Sequence, residues 1–151
     1  MQRPPRTATA PLLDAFLVWR ILFVSALMVI GSLGFFLWEQ SRGASIDAAR
    51  TVAVNALVMG EIFYLFNCRY LLASSCGLRS FLGSRPILIA IVTVVFLQML
   101  FTYSPPFQRL FGTVGLEATV WWRILLFGAL LFSVVEVEKM WIRSRNKDQI
   151  R

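Results

Sequence analysis

The chain is 151 residues long, 58% hydrophobic and 14% aromatic, with a mean hydropathy of +0.69 and a formal net charge of +7. Soluble domains use roughly 45–50% apolar residues, so this composition excludes an ordinary soluble fold and indicates one all-α integral membrane domain, a four-helix bundle. Nucleic acid is excluded as a partner because the basic residues flank apolar runs instead of interleaving with aromatics on one surface, and with no histidine and no glycine-rich phosphate loop the sequence lacks signatures of histidine-based catalysis or ATP hydrolysis.

Residues 1–12 are proline-rich and basic. Pro4, Pro5 and Pro11 each remove a backbone donor, which predicts an extended lead. A transmembrane domain follows over residues 13–140, in which four stretches approach the roughly 18–20 residues that cross a hydrocarbon core of about 30 Å. The first, Phe16 to Trp38, is too long for the apolar region of a secretory signal and reads as an uncleaved span ending in an interfacial aromatic. The polar run Glu39 to Ala49 is expected to connect it to an antiparallel neighbour, Thr51 to Cys68. The third span, Pro86 to Tyr103, starts on a proline whose missing N–H costs nothing there and stops at Ser104-Pro105-Pro106. The connection Phe107 to Ala118 carries Phe107, Leu110, Phe111, Val114 and Leu116, apolar enough to dip into the interface. The fourth span, Thr119 to Val137, opens with Trp121-Trp122-Arg123 and is followed by Glu138, Lys139 and a basic tail, residues 141–151, read as a frayed helical continuation.

The charges fix an orientation. Arg3, Arg6, Arg69, Arg79, Arg85, Lys139, Arg143, Arg145, Lys147 and Arg151 gather on one side, against Arg42, Arg50 and Arg109 on the other. The positive-inside rule then predicts that both termini are cytoplasmic in a multi-pass protein of the cell membrane. Arg20 and Arg123 lie just inside helix ends and are expected to snorkel toward the headgroups, and Glu136 with Lys139 reads as an ordinary surface pair. Cys68 and Cys76 fall on the reducing side and match no metal or redox spacing.

Within the spans the informative residue is Glu61, near the middle of the second. A charged side chain at the bilayer centre costs about 2.5–3.5 kcal/mol on insertion scales, so such groups face a helix bundle or an aqueous path. Asn55, Tyr64 and Asn67 on the same helix, and Gln98, Thr93 and Thr102 on the third, are further polar groups. These are oxygen-bearing side chains of the kind that hard cations such as Ca²⁺, Na⁺ or K⁺ prefer. At about 100° per residue, Val54, Val58, Glu61, Leu65 and Cys68 share a stripe with Tyr64 beside it, while Asn55 lies about 120° away and is no ready-made partner. Two roles suit Glu61: cation ligand or proton acceptor, or a structural bond to a neighbouring helix. Asn55, Gln98, Thr93 and Thr102 suit interhelical hydrogen bonding.

The run RTVAVNALVMGEIFYLFNCR, Arg50 to Arg69, closely resembles the eighth transmembrane helix of bacterial cation-transporting P-type ATPases of the calcium- and sodium-pump class. Arg3-Pro4-Pro5-Arg6 resembles the lead into the seventh helix, Leu97-Gln98 with Phe101-Thr102-Tyr103-Ser104-Pro105 the ninth, and Trp122, Gly128 and Val135-Glu136-Val137-Glu138-Lys139 the tenth. The resemblance implies the last four helices of a ten-helix transport domain, with the bilayer and the remaining ATPase domains as partners. It also implies that Glu61 matches a carboxylate that contributes to a cation site, with Asn55, Tyr64, Asn67 and Gln98 as accessory polar groups. No cofactor is implied in this chain; the transported cation, Ca²⁺ or a monovalent ion, would be its cargo. The Asp-Lys-Thr-Gly phosphorylation motif is absent from this sequence, which predicts no catalytic competence alone. Two other readings stay open: an accessory protein docking on other transmembrane helices, and a small channel or carrier built by oligomerisation around Glu61.

Overall fold

The computed structural model describes residues 15–68 and 85–148. The lead at 1–12, Asp14, Arg69, Cys76, Arg79 and the last three residues lie outside them, as does the side chain of Cys68. The described chain forms α1 (Ala15–Ser41), α2 (Ile46–Cys68), α3 (Arg85–Tyr103), α4 (Pro105–Phe111) and α5 (Ala118–Asp148). Three of these helices are long and apolar enough to cross a membrane, and α3 with α4 makes a fourth path bent by 76°.

Three boundaries differ from the sequence reading, each for a local reason. The run Glu39 to Ala49 is not a loop, because only residues 42–45 separate α1 from α2. Gly43 adopts a left-handed φ of +81°. Its N–H then reaches the Gln40 carbonyl at 3.0 Å and the Ala44 N–H reaches that of Glu39 at 3.1 Å, which closes the end of α1 in a Schellman turn. Ser45 caps α2 by accepting the Ala48 N–H at 3.2 Å. The second difference lies in the connection Phe107 to Ala118, which is partly helical. Ser104-Pro105-Pro106 does end α3, but prolines at the first positions of a new helix are preset for it, and α4 starts there. Third, the tail read as a frayed helical continuation of the fourth span is regular helix as far as it is described: α5 runs on unbroken to Asp148.

α2 is the central element. Its small and apolar residues Ala49, Val52, Ala56 and Gly60 form a buried stripe. Leu116 and the α5 residues Val120 and Ile124 pack against Val52 and Ala56, and Leu131 and Val135 continue the core toward Val24 of α1. In a membrane no hydrophobic force drives helices together, so close backbone approach through small residues supplies the packing. Gly128 shows the constraint: a Cβ there would lie 2.5 Å from the Phe63 ring of α2. Gly128→Leu is therefore expected to lower thermal stability in detergent by about 1–3 kcal/mol through overpacking; an unshifted melting curve would show that the ring swings aside freely. α1 runs antiparallel to α2 and α5, with the Ser32 hydroxyl donating to the Ala53 carbonyl at 3.0 Å. α3 stands apart, with Ile89, Val92, Phe96 and Leu97 exposed.

Candidate functional site

Glu61 emerges from α2 on the face opposite its packed stripe, in line with the half-exposed Val54 and Leu65. Two clefts meet at it. One, of about 450 Å³, runs along α1 and is lined by Ile21, Val24, Ser25, Met28, Tyr64 and Leu65. The other, of about 140 Å³, faces Ala90, Ile91 and Val94 of α3. The carboxylate is exposed and makes no hydrogen bond or ion pair among the described residues. No set of three or more His, Cys, Asp or Glu that could hold a metal gathers among the described residues, so Glu61 alone is half of nothing within this bundle. Its side chain lines both clefts and faces out of the packed bundle.

The accessory polar residues divide. Tyr64 borders the larger cleft with Ser25. Asn55 is buried and spent elsewhere: its Nδ2 donates to the Thr51 carbonyl at 2.8 Å and to Thr102 Oγ1 at 3.2 Å, while Gln98 Nε2 donates to its Oδ1 at 3.0 Å. Asn55, Gln98 and Thr102 thus tie α3 to α2 where apolar packing is sparse. Thr93, grouped with them by residue type, is exposed. Further bonds close the same end: the Val114 N–H donates to Thr51 Oγ1 at 3.1 Å, the Tyr103 hydroxyl to the Leu116 carbonyl at 2.7 Å, and Trp121 Nε1 to the Tyr103 oxygen at 2.7 Å. Asn55→Leu is expected to release α3, at about 1–2 kcal/mol for bonds of this kind. The check is the yield of a disulfide between cysteines placed in α2 and α3; an unchanged yield would show that other contacts hold α3.

Asn67 lines neither of the clefts at Glu61. It is buried at the other end of α2, where its Nδ2 donates to the Phe132 carbonyl at 3.3 Å and its own carbonyl accepts Lys139 Nζ at 2.8 Å. This is the end at which α1 begins and α5 finishes, and it holds a group of buried charges that sequence reasoning placed at the surface. Lys139, only 1% exposed, pairs with Glu136 at 3.0 Å, so that pair is an interior one. Arg20, also 1% exposed, does not snorkel; its guanidinium lies 3.6 Å from the Glu138 carboxylate. Arg123 likewise is held, at 2.8 Å from Glu39 and over the Trp38 ring at 4.9 Å. The missed signal was reciprocity: α1 and α5 each carry opposite charges at both ends, in register for antiparallel helices.

The comparisons agree with this architecture. The family described as cation transporting ATPase, C-terminus, matches residues 1–141. A probable cation-transporting ATPase F of Mycobacterium tuberculosis is 37% identical over 145 residues, which cover 96% of this chain and 16% of that protein. The cation-transporting ATPase pma1 of Synechocystis is 32% identical, over 80% of this chain and 14% of the relative. The calcium-transporting ATPase type 2C member 2 of Mus musculus is 28% identical, over 93% and 15%. The chain thus spans about one sixth of the length of these curated relatives. With a match over nearly its whole length and a bundle of membrane-crossing helices, the chain belongs to the C-terminal membrane domain family of the cation-transporting P-type ATPases.

Proposed function

We propose that this chain works as the last four membrane helices of a cation pump and that Glu61 supplies carboxylate oxygen to the pump's ion path. One observation carries the reading: a carboxylate in the middle of a membrane-length helix is left exposed between two clefts, while Asn55, Gln98 and Thr102 are satisfied inside the bundle. Leaving such a group without a partner is costly in a bilayer, and helices filling the clefts would turn that cost into ion coordination. Tyr64 and Ser25 stand beside it as neutral oxygens for the same purpose. The donor set is hard, which suits Ca²⁺, Na⁺ or K⁺, and the mouse relative is named a calcium-transporting ATPase. Hydrolysis of ATP would come from domains beyond these helices, and the charge distribution favours both termini on the cytoplasmic face of the cell membrane.

The test is a cation titration of ATP hydrolysis by the ATPase assembled with this chain, run with Ca²⁺, Mn²⁺, Na⁺ and K⁺ in turn. Stimulation saturating with one ion class supports the reading and identifies the cargo. Hydrolysis indifferent to every one of them would overturn it in favour of a structural role.

A further inference from the structure

α4 lines neither cleft at Glu61, and its apolar side chains are exposed. Leu110 is 75% exposed, Phe111 53% and Phe107 37%, and none of the helix's residues is buried. At about 100° per residue these three side chains share one arc of about 100°, and Arg109 projects from the opposite side. The helix is held firmly in this attitude: the Gln108 amide donates to the Thr102 carbonyl at 2.8 Å, and Thr113 Oγ1 to the Phe101 carbonyl at 2.7 Å. Gly112, at a φ of +64°, ends it with its N–H on the Gln108 carbonyl at 2.9 Å.

Two facts say what the apolar arc faces. α4 turns 76° away from α3, so beside a membrane-crossing helix it lies nearly in the bilayer plane. Phe111 folds back onto Phe101 of α3 at 5.4 Å and stacks with Phe107 at 6.1 Å, which joins the arc to the apolar surface of the span itself. Tyr103, at the end of α3, and Trp122, in the first turns of α5, are 44% and 64% exposed, residues suited to a headgroup-level aromatic belt.

We infer that α4 is an interfacial foot resting on phospholipid: Phe107, Leu110 and Phe111 enter the acyl boundary of the leaflet at this end, and Arg109 faces the lipid phosphates. Depth is shallow, about 5–10 Å, as for other surface-lying amphipathic helices. The foot fixes the height of α3 in the membrane without needing a protein partner, and the inference stands independently of the role of Glu61.

The test places single cysteines at Phe107, Arg109 or Leu110 in a Cys68→Ala, Cys76→Ala background of the full chain, labels each with an environment-sensitive fluorophore, and reconstitutes them in phosphatidylcholine vesicles. Because α4 buries nothing, these changes leave the core intact. Lipid brominated near the headgroup is expected to quench labels at 107 and 110 about twofold, and iodide present on both sides to quench the label at 109 instead. Iodide quenching of all three would put α4 in water and overturn the inference. Labels at 107 and 110 shielded from both quenchers would overturn it in favour of a protein covering the arc, and lipid quenching at 109 equal to that at 110 would refute the two-faced placement.

Discussion

Glu61→Gln in the assembled ATPase should raise the cation concentration for half-maximal activation by on the order of tenfold or more, equivalent to about 1.4 kcal/mol or more of lost binding. The substitution keeps the shape of the side chain and one carbonyl oxygen but removes the charge, and charge count is what sets affinity at oxygen-ligand cation sites. The same change should leave the fold alone. Glu61 is exposed and has no partner among the described residues, so its replacement breaks no bond inside the bundle and makes α2 cheaper to insert. The two readouts separate the hypotheses. A shifted cation requirement with an unchanged melting curve belongs to an ion ligand. A changed melting curve or lost co-purification with an unchanged cation requirement belongs to a carboxylate that pairs with another helix. If neither moves, Glu61 leaves the site and the clefts beside it lose their meaning.

The all-helical membrane bundle was legible in the sequence because hydropathy over a bilayer-length window is a one-dimensional property, and a stop such as Ser104-Pro105-Pro106 acts through the backbone alone. The face of α2 was legible too: the stripe Val54, Glu61, Leu65 is the exposed one because helical periodicity separates it from Ala49, Val52, Ala56 and Gly60. The structure adds that the carboxylate has clefts on both sides, which depends on where α1 and α3 sit and on no residue of α2. What escaped the sequence was pairing across helices. Arg20 and Glu138 are separated by more than a hundred positions, and each by itself looks like a residue near a helix end that reaches for water. Only the antiparallel register of α1 and α5 turns them into interior partners. The hydrogen bonds of Asn55 escaped for the same reason, although its residue type suggested the role. Loop lengths erred where glycine acted: a left-handed Gly43 lets α1 and α2 absorb most of a polar run that composition assigns to a connection.

The largest expected loss of stability lies at Lys139. Its ammonium is 1% exposed, 3.0 Å from Glu136 Oε1 and 2.8 Å from the carbonyl of Asn67. The Asn67 carbonyl lies in the last described turn of α2, so the ammonium reaches the backbone of α2 across the bundle. Lys139 therefore does two things at once: it neutralises a buried carboxylate and ties the backbone of α2 to α5. Lys139→Met removes both and breaks a buried ion pair by taking the ammonium from Glu136, for which a loss of about 3–5 kcal/mol is the usual scale. Adding Glu136→Met should recover much of that loss, because two well-packed apolar side chains can replace a buried pair at little net cost. Recovery should stay incomplete, since the hydrogen bond to the Asn67 carbonyl is still lost, whereas Lys139→Arg should retain most of the stability by keeping both interactions. Thermal unfolding of the four proteins in detergent measures the coupling as a double-mutant cycle. Losses that simply add in the double variant would mean that the ammonium and the carboxylate do not depend on each other. A Lys139→Met protein within about 0.5 kcal/mol of the parent, the range of ordinary surface changes, would mean that the charges at this end are solvated and that α5 is held there by apolar contacts alone.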